Sequence, residues 1–107
     1  MIINPNLKAV GAKKVEFYEG CLSLPGFIAI VPRAHSVRVE CLDQHAKPKV
    51  IEASGWYARI LQHEIDHLRG RLYIDHMRSR SFCSLENFER FWKDKPIDEI
   101  RATLGLD

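Results

Sequence analysis

Ser54-Gly55-Trp56-Tyr57-Ala58-Arg59-Ile60-Leu61-Gln62-His63-Glu64-Ile65-Asp66-His67-Leu68-Arg69-Gly70 is the stretch on which the fold turns. It predicts a helix from Ser54 to about Arg69. Serine is a good residue to cap a helix start, and Gly70 is placed to end it. Trp56, Ile60, His63 and His67 share one face at three- and four-residue spacing. Tyr57, Leu61, Ile65 and Leu68 form a second apolar stripe. A helix apolar on two sides is expected at the centre of its domain. Within it, His63-Glu64-Ile65-Asp66-His67 is an H-E-x-x-H sequence. Four residues make slightly more than one turn, so both imidazoles point the same way and can bind one metal ion. Glu64 lies beside them, where it can take a proton from a metal-bound water. The competing reading is that these three side chains only solvate a helix face. A buried helix argues against it, because unpaired charge is costly in a buried place.

Working upstream, Ser36 to Leu42 alternates, with Val37, Val39 and Cys41 on one face and Arg38 and Glu40 on the other. That is the period of a half-buried strand. Lys49 to Ala53 is its expected hairpin partner across the polar stretch Asp43 to Pro48. Ile2 to Lys8 and Lys14 to Glu19 read as short strands around Gly11, and Pro25-Gly26 as a turn signal. Downstream, Arg71 to Asp75 is read as one more strand. Ser84 to Lys93 is an amphipathic helix whose Phe88, Phe91 and Trp92 should pack on the body of the domain. Pro96 to Leu104, stopped by Gly105, is a last helix. The class is α+β: antiparallel strands around a central H-E-x-x-H helix, then C-terminal helices. One domain over residues 1–107 is expected, with 82–107 as a C-terminal helical extension.

The bulk numbers fit that picture. The 107 residues suffice for one small domain, and 46% apolar with 28% charged residues is a globular composition. The longest strongly apolar run, Phe27 to Val31, is far too short to cross a bilayer. Met1-Ile2-Ile3-Asn4-Pro5 has neither a basic nor an apolar leader region, so no secretory signal is expected. A net charge of +2 does not point to nucleic acid. Three cysteines, Cys21, Cys41 and Cys83, argue against a disulfide framework and fit a reducing compartment.

A catalytic site of this kind needs a third protein ligand and one open position. The metzincin pattern H-E-x-x-H-x-x-G-x-x-H is matched through Gly70, but Tyr73 stands at its last histidine. A thermolysin-like zinc protease would take a downstream glutamate, for which Glu86 and Glu89 are at a plausible distance. Upstream, Glu19-Gly20-Cys21-Leu22-Ser23 puts a cysteine on a glycine-flanked strand end, where Gly20 allows close backbone approach. The sulfur of Cys21 would be a thiolate once metal-bound. Cys41 and Cys83 are read as small buried residues.

Glu19-Gly20-Cys21-Leu22-Ser23 followed by Gln62-His63-Glu64-Ile65-Asp66-His67 resembles the signature pair of the peptide deformylase family, E-G-C-L-S and Q-H-E-x-D-H. Ile3-Asn4-Pro5, Val31-Pro32-Arg33 and Leu68 to Gly70 are also similar to the family, and the likeness runs to about Met77. The resemblance implies a metal held by Cys21, His63 and His67, natively Fe²⁺, with Zn²⁺, Ni²⁺ or Co²⁺ as substitutes. It implies hydrolysis of the N-formyl group from nascent formyl-methionyl polypeptides, with formate released. Glu64 would move the protons, and the backbone N–H of Leu22 would meet the oxyanion. Gly20 and Leu22 would pair with an extended substrate, and Trp56 and Ile60 would wall a slot for the methionine side chain. Arg59 stands where many bacterial relatives have an apolar residue, making the rim more polar. The family's N-terminal G-x-G-x-A-A-x-Q segment has no counterpart here, so the chain is expected to be N-terminally truncated relative to the family. A metal-binding pseudoenzyme that binds nascent chains or ribosomes is the alternative. The resemblance also implies a bacterial cytoplasmic or organellar-matrix protein with neither membrane nor DNA as partner. Ribosome contact would run through Arg69, Arg71, Arg78 and Arg80, opposed between residues 69 and 80 only by Asp75.

Overall fold

The computed structural model describes residues 2–21 and 23–106. In chain order its elements are β1 (Ile3–Ala9), β2 (Lys14–Cys21), β3 (Leu24–Ala34), β4 (Ser36–Leu42), β5 (Pro48–Ser54), α1 (Gly55–Leu68), β6 (Cys83–Ser84), α2 (Leu85–Phe91) and α3 (Ile97–Leu104). The class is α+β. Two compact units are present: one takes the described residues up to Val15 with Arg33–Arg71, the other takes Glu16–Pro32 and the described residues from Leu72 onward.

In the first unit, β1, β4 and β5 form an antiparallel sheet in that order. The alternation of β4 buries Val37, Val39 and Cys41 against Ala58, Leu61 and Ile65 of α1. β4 and β5 pair in strict register from Ser36 opposite Ser54 to Leu42 opposite Pro48. β1 carries a bulge between Ile3 and Asn6, and Asn4 sits there at φ +50°. Asparagine is among the few side chains that tolerate this region. The N-cap position of α1 is Ser54 as expected, but its side chain makes no capping hydrogen bond. Gly70, at φ +74°, follows the helix end.

Burial of α1 corrects the expectation of two buried stripes. Ala58, Arg59, Leu61 and Ile65 are buried, whereas Trp56, Tyr57, Ile60 and Leu68 are all exposed. One sheet covers one face of a helix, and the first unit supplies one sheet.

In the second unit, β2, β3 and β6 form the sheet. Pro25-Gly26 is not a turn; it lies inside β3. β6 pairs only with Phe27 and Ile28, so Pro25 lies beyond its reach and its missing N–H costs no bond on that side. Gly26 takes φ +84°, which a side chain would resist. Arg71 to Asp75 is not a strand either. Tyr73–Asp75 is a 3₁₀ turn, and the Leu72 N–H donates to the Asp75 carboxylate at 2.8 Å. That local bond offers the backbone an alternative to a sheet ladder.

Tyr18, Ile30 and Ile100 form one core of this unit, packed by Phe88, Trp92, Ile97 and Leu104. Burial there, with Cys83 close by, pushes the Tyr18 phenol up to about 12. Ala29, Val31 and Tyr73 form another, packed by Cys21, Leu24 and Met77. α2 is capped by Ser84, whose hydroxyl accepts from the Asn87 N–H at 3.1 Å. Phe88 and Trp92 of the C-terminal segment pack as expected, but Phe91 is 53% exposed beneath the Arg90 guanidinium. Cys41 is buried, while Cys83 is only half-buried and its thiol pKa is raised by burial.

Candidate metal centre

α1 places the two histidines of the H-E-x-x-H sequence one turn apart, with ring centroids 4.6 Å from each other. Glu64 follows His63 and is exposed. Cys21 is the last residue of β2 and is half-buried beside Tyr73. Tyr73 is fully buried, and its phenol pKa is raised by burial first and by the nearby Cys21 and Cys83 second. At the preceding position, a Cβ on Gly20 would stand 3.3 Å from the Phe27 carbonyl oxygen, tighter than a side chain normally sits. The glycine is therefore matched to close strand approach.

Cys21, His63 and His67 each offer one ligand atom, and these atoms lie within 4.8 Å of one another. Around one tetrahedral ion, bonds of about 2.0–2.3 Å set ligand atoms roughly 3.5 Å apart. One thiolate and two imidazoles suit a first-row transition metal and not magnesium or calcium.

The remaining expected residues are placed as follows. Leu22 lies outside the described residues. Trp56 and Ile60 are 63% and 44% exposed, so they are open surface on α1. Arg59 is 6% exposed and donates to the Val15 carbonyl at 2.5 Å, so its guanidinium is bound to backbone within the first unit. Glu86 and Glu89 are exposed on α2 and are not in the metal group.

Two pairings around the histidines were not read from the sequence. The Gln62 side chain accepts from the Ala34 N–H at 3.0 Å and donates to the Ala34 and Ala58 carbonyls at 2.9 and 3.0 Å. Asp66 accepts from Arg33 at 2.6 Å, with 5% and 14% of the arginine and aspartate side chains exposed. A polar residue just before each histidine, on a helix with a buried face, was the available signal.

Residues 1–82 match the family model described as Polypeptide deformylase. The chain belongs to the polypeptide deformylase family. It is 43% identical over 106 residues to peptide deformylase 3 of Streptomyces avermitilis, covering 99% of this chain and 47% of that one. It is 47% identical over 85 residues to the human mitochondrial peptide deformylase, covering 79% and 35%. Among solved structures, a peptide deformylase from Synechococcus elongatus superposes with a TM-score of 0.66 at 28% identity, over 99% of this chain and 50% of that one. The chain thus spans half or less of the length of these relatives. Among the described residues, no helix is long and apolar enough to cross a membrane.

Proposed function

We propose that this chain carries the metal-binding half of a peptide deformylase site and hydrolyses the N-formyl group of formyl-methionyl polypeptides, releasing formate. The observation that carries the reading is the Cys21, His63 and His67 group with Glu64 adjacent on α1, in a member of this family. Fe²⁺ is the proposed native ion, with Zn²⁺, Ni²⁺ or Co²⁺ as substitutes. A divalent ion held by Cys21, His63 and His67 would supply Lewis-acid chemistry and lower the pKa of water there. Glu64 takes the proton of the attacking water and returns it to the leaving amine. Leu22 is proposed as the residue whose backbone N–H would meet the oxyanion. Trp56 and Ile60 offer apolar surface for the methionine side chain, and Gly20 and Leu22 are proposed to pair with an extended substrate backbone.

The proposed setting is a bacterial cytoplasm or an organellar matrix, with nascent chains as substrate. A weak ribosome contact would run through exposed Arg69, Arg71 and Arg80. Arg78 is removed from that set, because it pairs with Glu16 at 3.2 Å, a carboxylate that Arg101 also holds at 2.7 Å. The contact should weaken steeply with salt. Ribosome co-sedimentation at low salt that survives alanine at all three exposed arginines would exclude it.

The test of the activity is formate release from a formyl-Met-Ala-Ser peptide by the Co²⁺-loaded chain. Turnover that disappears with a chelator and returns with Co²⁺ is expected. Peptide binding without formate would instead favour the pseudoenzyme, and cleavage of an internal peptide bond the protease.

A further inference from the structure

We infer that Gln62 and the Arg33–Asp66 pair form a two-point clamp that sets the rotation of α1 about its axis, and so aims both imidazoles at the metal. The inference rests on the proposed metal site and adds three positioning residues to it.

The clamp has a regular layout. Arg33 and Ala34 are consecutive at the end of β3. Gln62 and Asp66 are one helical turn apart on α1, and each immediately precedes a ligand histidine. Arg33 holds Asp66 through a charge-assisted bond of 2.6 Å, and both polar groups of the Ala34 backbone close on the Gln62 amide at 2.9 and 3.0 Å. The amide does for Ala34 what a neighbouring strand would do, and fills one acceptor and both donor positions in the process.

At about 100° per residue, the faces of α1 succeed one another around its axis. Ala58, Leu61 and Ile65 form the buried apolar face, Gln62 and Asp66 come next, and His63 and His67 follow. The apolar face cannot set the rotation finely, because burial is non-directional and alanine and leucine contacts tolerate small rolls. A metal site can tolerate little. A ligand atom roughly 6 Å from the helix axis moves about 1 Å for a 10° roll, whereas metal–ligand distances hold to about 0.2 Å. Directional bonds at two points one turn apart resist both roll and slide, and they lie on the helix flank adjoining the histidines.

The experiment is Co²⁺ affinity of the full chain by chelator competition, read with the thiolate-to-cobalt charge-transfer and d–d bands. Gln62→Met keeps the side-chain length and removes the amide. Arg33→Lys keeps the charge and removes the fork. Each should weaken Co²⁺ binding roughly 10–100-fold and alter the d–d bands, the range expected for groups that orient metal ligands. Arg38→Ala, which cuts the exposed Arg38–Glu52 pair of the same unit, should stay within about twofold of the parent. Asp66→Asn covers the case in which Gln62→Met does not fold. If the folded clamp variants bind Co²⁺ with parental affinity and bands while His63→Ala and Cys21→Ala lose it, the clamp is wrong and the metal site stands. If His63→Ala and Cys21→Ala also keep parental affinity, the metal site itself is wrong and the clamp falls with it.

Discussion

At the scale of single residues, the proposed mechanism separates chemistry from metal retention. Glu64 is adjacent to the ligands and is not in the ligand group. Glu64→Gln preserves size and removes the base. In the metal-loaded protein it should retain the ion by elemental analysis and lose about 10²–10⁴-fold in formate release, the usual contribution of a positioned proton-transfer group. Equal formate release from variant and parent would remove Glu64 from the mechanism. Arg59 shows the opposite case. By residue type it looked like a polar rim, yet it is buried because the Val15 carbonyl gives its guanidinium a backbone partner.

At the scale of elements, the β4–β5 hairpin carries a local device at its tip. The Asp43 carboxylate accepts from the His45 and Lys47 N–H groups at 2.8 and 3.1 Å. The Lys47 and then the His45 bond lower its pKa from the ordinary 3.8. A depressed carboxyl contributes stability that is complete above its unfolded pKa and is lost as pH falls through the lower folded one. The urea midpoint gap between parent and Asp43→Asn should therefore be greatest above the unfolded-state carboxyl pKa of about 4 and narrow as pH falls through the lower folded one. A gap independent of pH would place the effect elsewhere. In the same turn Ala46 is held at φ +60°. The left-handed region costs a side chain about 1–2 kcal/mol, and glycine's extra unfolded-state freedom returns about 0.4–1 of that. Ala46→Gly should thus stabilise the chain by about 0.5–1 kcal/mol in urea denaturation; a loss of stability would contradict the strain.

At the scale of the whole molecule, metal and folding should be linked. An ion that binds only the folded chain adds about 2.7 kcal/mol at one hundred times its Kd. For a chain of this size that raises Tm by roughly 10 °C. Co²⁺ should produce this rise, a chelator should reverse it, and Cys21→Ser should abolish most of it. A Tm indifferent to Co²⁺ and to chelator would count against a Cys-His₂ site.

The sequence alone determined what depends on local spacing and residue chemistry. Two histidines four apart must share a helix face, alternation in Ser36 to Leu42 must put one face inward, and Gly70 and Gly105 could be read as helix stops because they accept positive φ. The E-G-C-L-S and Q-H-E-x-D-H stretches likewise carried the family. Tertiary structure decided whatever depends on a partner distant in the chain. Pro25-Gly26 lies inside β3, the strand that residues far downstream join at Phe27 and Ile28. Arg78 left the basic cluster because Glu16, distant in sequence, meets it. Gln62 and Asp66 acquired their partners only when the end of β3 met their flank of α1. Periodicity names the face a side chain occupies; only the packed backbone supplies the group that it meets there.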